Sequence, residues 1–232
     1  MKISVIIPCF NEEKTILEIL KKVNLEKSSL DLEIIVSDDG SNDNTIDLLK
    51  QNLNLYDKLI ENKVNLGKGA ALKKGIEESS GELILFQDAD LEYDPKDYKK
   101  LIQPFLFNNA DVVYGSRFQG SAAHRLIYFS HRVANFILTT LVNLFTNINF
   151  SDVETGYKVF RRSIIDKMIL KENSFGVEIE LTMKIAKLKA KIFEVGISYN
   201  GRTYDEGKKI TIKDGFIAIV LIFKYLFTSV YR

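Results

Sequence analysis

The stretch Gln87-Asp88-Ala89-Asp90-Leu91-Glu92 decides the fold, and it follows the apolar run Leu83-Ile84-Leu85-Phe86. A short apolar run between polar flanks predicts a buried strand, with the carboxylates at its carboxyl end. Residues two apart in an extended chain point to the same side, so we expect Asp88 and Asp90 to face one cleft, where Glu92 can join them. Oxygen ligands of this kind suit Mg²⁺ or Mn²⁺, and such an ion would carry a diphosphate.

Chance offers a plainer explanation for the Asp-x-Asp spacing. Asp is common enough in this chain that one such pair is expected at random, so the spacing alone is weak evidence. The context is stronger, because open α/β sheets bind ligands at the carboxyl ends of their strands.

The composition is that of a globular protein. Of 232 residues, 46% are hydrophobic and 27% are charged, which suits one large domain or a domain with an appendage. The net charge of +1 gives no general attraction to nucleic acid. Cys9 is the only cysteine, so no intrachain disulfide can form and a reducing, cytosolic setting fits. The apolar run from Ile3 to Ile7 is too short for a signal peptide and is stopped by Pro8.

Strands and helices alternate along the chain. The predicted strands are Lys2–Pro8, Glu33–Ser37, Lys58–Glu61, Leu83–Phe86, Asp111–Gly115 and Lys191–Ile197. The predicted helices begin at Glu12, Asn44, Gly67, Pro95 and Phe175. Asn11 is expected to cap the first helix. In the helix that begins at Phe175, at least one of Glu178 and Glu180 is expected to face solvent. The order predicts an α/β fold with a mostly parallel, Rossmann-like sheet and helices on both faces.

Polar groups follow three of the predicted strands, at Asn11-Glu12, Asp38-Asp39 and Asp88–Asp90. Independent accidents would not favour the same sheet edge three times, so this set indicates a ligand site. The alternative for each is a turn or a helix cap, which Asp and Asn often supply. For Asn11, capping alone is a full explanation.

These residues and several later ones resemble a known family. The chain is similar to the family 2 glycosyltransferases, which have the GT-A fold, and within them to the dolichyl-phosphate and polyprenyl-phosphate mannose or glucose synthases. The resemblance covers nearly the whole chain. Its motifs are Val5–Glu12, Asp38-Asp39-Gly40-Ser41, Asn65–Gly69, Asp88-Ala89-Asp90, Gly115-Ser116-Arg117, Asp152–Lys158 and Phe175–Glu180.

The resemblance implies a role for each matching residue. Asp88, Asp90 and Glu92 would hold Mg²⁺ or Mn²⁺, although Glu92 stands where this branch often has Gln. The implied catalytic residues are Asp88, Asp90, Arg117 and Asp152. The residues expected to bind the nucleotide sugar are Pro8, Phe10, Asn11, Glu12, Asp38, Asp39, Gly67, Lys68, Asp88, Ala89, Asp90, Arg202 and Lys208.

The implied reaction moves glucose or mannose from a UDP- or GDP-sugar to a polyprenyl phosphate, with inversion at the anomeric carbon. The metal neutralises the leaving diphosphate. A phosphate acceptor is already anionic, so the site needs cations rather than a strong base, and Arg117, Arg125 and Arg132 are the candidates. A solvated surface charge is the alternative for Arg125 and Arg132.

The segment 124–150 bears on the acceptor. Between Arg132 and Asp152 there is no charged residue, and apolar side chains recur at helical spacing with polar interruptions. This pattern favours an interfacial helix over a spanning one, and a core or dimer helix is the alternative. The basic residues that flank it are His124, Arg125, His131 and Arg132.

We expect a catalytic domain over 1–210 and an apolar C-terminal helix over 211–232 that contacts a membrane peripherally or packs on the domain. The apolar run Phe216–Phe223 is too short to span a bilayer. The glycine-punctuated segment Tyr199–Ile210 resembles the family's closing loop, which would bring Arg202, Lys208 and Lys209 to the diphosphate. The expected location is the cytoplasm, at the cytoplasmic face of a membrane.

Two rival functions stay open. The acceptor can be a sugar hydroxyl, in which case Asp152 or Glu154 could serve as the base. The chain can also be a nucleotide-sugar binding module without turnover, although a full set of carboxylates argues against that. Dependence of the rate on a lipid phosphate distinguishes a polyprenyl-phosphate acceptor from a sugar hydroxyl.

Overall fold

The computed structural model describes residues 1–120, 125–126, 128–208 and 212–230. Its strands are β1 (Ile3–Cys9), β2 (Leu32–Asp38), β3 (Lys58–Glu61), β4 (Leu83–Phe86), β5 (Val112–Ser116), β6 (Lys158–Arg161) and β7 (Ile192–Gly196). Its helices are α1 (Ile16–Glu26), α2 (Thr45–Gln51), α3 (Lys68–Glu78), α4 (Tyr98–Phe107), α5 (Phe129–Thr146), α6 (Arg162–Ile165), α7 (Val177–Lys187) and α8 (Ile212–Phe227).

The strands form one mixed sheet in the order β3-β2-β1-β4-β6-β5-β7. The pairs β1–β2, β1–β4, β2–β3 and β5–β7 are parallel, whereas β6 runs antiparallel to β4 and β5. The prediction of an α/β fold with a mostly parallel sheet is therefore confirmed. The antiparallel strand β6 was not predicted, because its four residues include two charged ones and give no clear alternation.

Apolar cores lie on both faces of the sheet. Val5 and Ile7 of β1 point into one core, which α1 and α4 cover. Ile6 points the other way, into a core that receives side chains from α3, α5, α7 and α8. This alternation is the period of two that a strand buried on both faces imposes. Each buried aliphatic side chain contributes about 1.5–3 kcal/mol relative to an exposed one.

The order of the strands places the cleft. From β1 the chain goes to β2 and β3 on one side and then returns to β4 on the other side. In parallel sheets, such a reversal opens a crevice at the carboxyl ends of the strands. Glu12 follows β1, Asp39 follows β2 and Asp88 follows β4, so the fold brings these three carboxylates to the same edge.

At this edge one local prediction is wrong, and a second is right for another reason. Asn11 does not cap a helix: it has a left-handed backbone with φ of 52°, and its side-chain oxygen accepts from the backbone N–H of Asn42 at 2.8 Å. The helix α1 begins only at Ile16. Asp88 and Asp90 line the same cleft as predicted, but strand β4 ends at Phe86 and Asp90 lies in a turn, so strand alternation is not the reason.

Helix α7 buries both of its first-turn acids. Glu178 and Glu180 are 3% and 0% exposed, so the prediction that at least one faces solvent is wrong. Glu180 accepts from the backbone N–H groups of Lys171 and Glu172 and pairs with Lys184 at 2.6 Å. Partners of this kind are what permit a carboxylate to be buried.

Helix α8 packs against α7 and α5 through a buried stripe that includes Leu221 and Ile222, and its opposite side is exposed. The predicted boundary at residue 210 lies outside the described residues. Among the helices that the structure describes, none combines the length and the apolar character needed to cross a membrane.

At the far end of the sheet, Glu33 joins β1, β2 and the turn before β4. Its carboxylate accepts from the hydroxyls of Ser4 and Ser80 and contacts Lys2 at 3.2 Å. Burial alone would raise its pKa, but these hydrogen bonds outweigh burial and lower the pKa to about 2.

We expect Glu33→Gln to lower the free energy of unfolding at pH 7 by about 1–3 kcal/mol, because it removes a buried, charge-assisted hydrogen-bond acceptor. A lowered pKa stabilises the fold above the unfolded-state pKa, and that contribution is lost as the pH falls toward 2. Urea unfolding should therefore show a smaller difference between the two proteins at pH 3 than at pH 7. The exposed variant Glu18→Gln is the control, and an equal difference at both pH values would contradict the assignment.

Candidate active site

A cleft of about 430 Å³ opens at the carboxyl ends of β1, β2 and β4. Its acidic lining residues are Glu12, Asp39, Asp88, Asp90, Glu92, Glu154 and Glu178, and its basic lining residues are Lys68, Arg117, Arg202 and Lys208. Acids thus outnumber bases among the described lining residues. A cleft with this imbalance attracts cations.

One end of the cleft is built around Asp39. Its carboxylate accepts from the side chain of Asn62 at 2.8 Å and from the backbone N–H groups of Leu66 at 3.0 Å and Gly67 at 2.6 Å. Gly67 has φ of 104°, and a Cβ at this position would lie 2.4 Å from the carbonyl oxygen of Asn173. Only glycine fits here, and it lets α3 begin against the cleft.

A chain of buried charges runs from the core to the cleft. Lys158 contacts one oxygen of Glu178, and Lys68 lies 3.0 Å from the other oxygen and 2.7 Å from Asp88 Oδ1. Burial raises the pKa of Glu178, but Lys158 and Lys68 outweigh it and hold the pKa below its ordinary value. Burial likewise opposes the charge on Lys68, yet Asp88 and Glu178 raise its pKa. Glu178 and Lys68 therefore stay charged at neutral pH.

Arg202 holds the other carboxylates together. Its guanidinium lies 3.0 Å from Asp90 Oδ2 and 3.5 Å from Glu12 Oε2, and its backbone N–H donates to Glu92 at 2.7 Å. Leu91, between the two acids, has a left-handed φ of 63°, which is uncommon outside glycine and costs about 1 kcal/mol. This turn is what brings Glu92 to the same cleft as Asp90.

The charge on Asp90 is only partly compensated. Burial is the largest cause that raises its pKa, the charges of Asp88 and Glu92 add to it, and Arg202 opposes them, leaving the pKa at about 7. In the part of the chain that the structure describes, no three His, Cys, Asp or Glu side chains are grouped as a ready metal chelate. The carboxylates pair with Lys68 and Arg202 instead. Three hard carboxylates with unmet negative charge nevertheless fit Mg²⁺ or Mn²⁺.

Arg117 also lines the cleft, and its guanidinium carbon lies 5.3 Å from the centre of the Tyr199 ring. Its Nε and Nη2 donate to the two carboxylate oxygens of Asp152, each at 2.7 Å, and its backbone N–H donates to Asp152 at 3.1 Å. Asp152 is fully buried and does not line the cleft. With both oxygens occupied it is a poor base, and its contacts instead fix the direction of Arg117.

Glu154 differs from its acidic neighbours. The side chain lines the cleft, and its Oε1 is buried without a hydrogen-bond partner. Glu178 Oε1 also lacks a hydrogen bond, but Lys68 lies 3.0 Å from it. Burial raises its pKa to about 7, with a further rise from the charge of Glu178 that Lys158 and Arg117 only partly offset. Sequence reasoning had named Glu154 only as one of two candidate bases.

Most of the predicted residues meet in this cleft. Those that line it are Pro8, Phe10, Glu12, Asp39, Gly67, Lys68, Asp88, Ala89, Asp90, Glu92, Arg117, Arg202 and Lys208. Those that do not line it are Asn11, Asp38, Asp152, Arg125 and Arg132. Asp38 stabilises a turn instead, because its carboxylate accepts hydrogen bonds from the backbone N–H groups of Gly40 and Ser41. His124 and Lys209 lie outside the described residues.

The other two arginines predicted to bind the acceptor phosphate are exposed. Arg125 pairs with Glu206 at 2.8 Å, and Arg132 is exposed on α5. The guanidinium carbons of Arg132 and Arg117 lie 5.8 and 5.7 Å from the centre of the Phe118 ring. One aromatic side chain thus links the cleft wall to α5.

Sequence reasoning also missed two aromatic lining residues, Tyr93 and Tyr199. Tyr93 accepts from the backbone N–H of Gly156 at 2.9 Å, and Tyr199 donates to Glu92 at 2.8 Å. Their rings lie 5.4 Å apart. Nothing in the local sequence separates them from core tyrosines, because their partners are distant in the chain.

Comparison with known proteins gives matches along most of the chain. Residues 4–169 match the sequence profile of Glycosyl transferase family 2. An uncharacterized protein of Methanocaldococcus jannaschii is 33% identical over 88% of this chain and 93% of its own length. The dolichol-phosphate mannosyltransferase of Pyrococcus furiosus is 27% identical over 90% of this chain, and the match spans 61% of that enzyme.

Among solved structures, the chain is similar to glucosyl-3-phosphoglycerate synthase from Mycobacterium tuberculosis, solved in complex with Mn²⁺, UDP and phosphoglyceric acid. The TM-score is 0.76 at 21% identity, and the match covers 98% of this chain and 79% of that one. This similarity shows a shared fold, and it confirms the predicted fold class.

The raised pKa of Asp90 leads to a pH-dependent affinity for metal. A cation needs the ionised carboxylate, and Asp90 takes up a proton as the pH falls through about 7. In the presence of a nucleotide diphosphate, we expect the apparent affinity for Mn²⁺ to fall by up to about 10-fold from pH 8 to pH 6. Titration followed by the electron paramagnetic resonance of free Mn²⁺ measures this. Asp90→Asn should bind weakly at both pH values, and a wild-type affinity that is flat over this range would contradict the role of Asp90.

Proposed function

The chain belongs to glycosyl transferase family 2, and we propose that it transfers glucose or mannose from a UDP- or GDP-sugar to a polyprenyl phosphate at a membrane surface. The observation that carries this proposal is the position of Arg117. It lines the same cleft as the carboxylate cluster, and it is linked through Phe118 to a helix with an exposed apolar face.

The donor half of the proposal rests on the acidic cleft. Asp88, Asp90 and Glu92 would hold Mg²⁺ or Mn²⁺, which neutralises the diphosphate as it leaves. The Mn²⁺ and UDP bound by the structurally similar synthase support this choice of ligands. When phosphate enters, Arg202 can turn from the carboxylates toward the diphosphate oxygens, and Lys208, which also lines the cleft, can join it, since guanidinium and ammonium groups bind phosphate.

The acceptor half rests on two acidic side chains, Asp152 and Glu178, that are not free to act as a base. Both oxygens of Asp152 are held by Arg117, and Glu178 lies between two lysines. A phosphate acceptor brings its own anionic oxygen, which would attack the anomeric carbon as the bond to the diphosphate breaks. Arg117 would hold that phosphate, because its remaining N–H groups can turn to a ligand in the cleft. Attack from the side opposite to the leaving group inverts the anomeric carbon.

The membrane contact would be made by an apolar platform of exposed side chains on α5 and α8. Its members are Phe129, Val133, Phe136, Ile137, Leu144, Phe145, Phe216, Ile217, Val220, Phe223 and Phe227. The rings of Phe145 and Phe223 meet 5.3 Å apart and join the two helices into one surface. An exposed surface made of eleven apolar side chains marks an interaction site. The exposed basic residues Arg125, Arg132 and Lys213 suit anionic headgroups.

A hydroxyl acceptor is the second candidate, and one observation favours it. Glu154 lines the cleft with a pKa of about 7 and a free oxygen, which are the properties of a general base. The structurally similar synthase has phosphoglyceric acid as its bound partner molecule, so this fold also accommodates small acceptors.

Transfer to lipid tests the proposal. Purified protein with Mg²⁺ or Mn²⁺, polyprenyl phosphate and labelled UDP- and GDP-sugars should place label in the organic phase with one donor. Asp90→Ala should lower that label by at least about 100-fold, because the diphosphate loses its counter-charge. Asp47→Ala, on the exposed side of α2, is the matched control. Nucleotide release with soluble sugars, and none with the lipid, would reject the lipid acceptor in favour of the second candidate.

Vesicle binding tests the apolar platform. Phe136→Ser and Phe216→Ser should each weaken binding to vesicles of anionic lipid by about 10-fold, because each removes an aromatic side chain worth roughly 1.5–3 kcal/mol when buried. Phe107→Ser removes an equally exposed phenylalanine on α4 and should leave binding unchanged. Co-sedimentation measures all three variants, and an equal loss for Phe107→Ser would reject the platform.

A further inference from the structure

We propose that Glu154 hydrogen-bonds a hydroxyl of the donor sugar and so takes part in choosing the hexose. The inference rests on the proposed function, because it takes a nucleotide sugar as the ligand of the cleft. It assigns to Glu154 a role in binding rather than the role of a base.

The position of Glu154 in the cleft supports this role. Two residues before it, Asp152 anchors Arg117, and two residues after it, Gly156 packs so tightly on Asp88 that a Cβ would lie 2.3 Å from Asp88 Oδ2. In the proposed reaction, the diphosphate that carries the sugar is bound near Asp88 and Arg117 holds the acceptor. The segment between those two contacts would then run beside the sugar.

The neighbouring charged groups are already engaged. Glu178 contacts Lys158 and Lys68, Asp88 contacts Lys68, and Arg117 contacts Asp152. Glu154 Oε1 is buried without a hydrogen-bond partner. Buried polar atoms without partners are uncommon in folded proteins, and one that lines a cleft is explained by a ligand.

The chemistry of the group suits a hydroxyl. A protonated carboxyl donates one hydrogen bond and accepts others, which matches a hydroxyl that does the same. A site built to hydrogen-bond a hydroxyl rejects an analogue that lacks it or presents it elsewhere, because the buried group then loses its partner. Gln keeps both a donor and an acceptor, whereas Leu keeps neither.

Calorimetry in the presence of Mn²⁺ tests the inference, with the preferred nucleotide sugar and the matching nucleotide diphosphate as ligands. Glu154→Leu should bind the nucleotide sugar about 10- to 100-fold more weakly and the nucleotide diphosphate within about 2-fold of wild type. Glu154→Gln should bind both nearly as wild type does. A further set of ligands consists of donors whose sugar lacks one hydroxyl. One of these deoxy donors should bind wild type and Glu154→Leu with equal affinity. Glu77→Leu, exposed near the carboxyl end of α3, is the control for folding.

Three outcomes would overturn the inference. They are equal losses for nucleotide sugar and nucleotide diphosphate in Glu154→Leu, no loss of either, and a Glu154→Gln variant that binds donor normally but turns over more than about 100-fold more slowly. The last would make Glu154 a base. Failure of lipid transfer alone, with the donor-binding pattern intact, would reject the proposed acceptor and leave this inference standing.

Discussion

The structure depends on cations that offset the repulsion among the carboxylates at one edge of its sheet. Parallel strands that leave the sheet on the same side bring Glu12, Asp39 and Asp88 together, and the turn after β4 adds Asp90 and Glu92. Two like charges 4 Å apart repel by about 4 kcal/mol at an effective dielectric constant of 20. The fold therefore has to supply cations, and it does so from α3 with Lys68 and from the loop before α8 with Arg202.

These cations serve both the fold and the chemistry. Lys68 is held by Glu178, which Lys158 holds in turn, so α3, α7, β6 and the turn after β4 meet in one alternating chain of charges. Removing one member of such a buried chain costs about 3–5 kcal/mol, because its partner is left charged and unpaired. The same groups can exchange a carboxylate for a phosphate when a ligand arrives. The same side chains would thus stabilise the protein without ligand and bind a diphosphate when one is present.

The sequence predicted those parts of the structure that local patterns determine. Strand β4 was predicted with its observed bounds and helix α3 within one residue of its observed start, because an apolar run and a glycine at a helix start are local signals. Most of the cleft residues were named through the family resemblance. Long-range pairing was not predictable: Asp152 and Arg117 lie 35 residues apart, and the burial of Glu178 depends on Lys158 and Lys68. Asn11 was misassigned because its contact partner, Asn42, lies in the loop after β2, 31 residues along the chain.

Diffraction from crystals grown with Mn²⁺ and a nucleotide diphosphate tests the central claim most directly, namely that the carboxylate cluster exchanges its protein cations for a metal and a diphosphate. We predict an anomalous manganese peak beside Asp88 and Asp90, with Arg202 turned from Asp90 toward the phosphates. A nucleotide bound without manganese in this cleft, with Arg202 still paired to Asp90, would contradict the account.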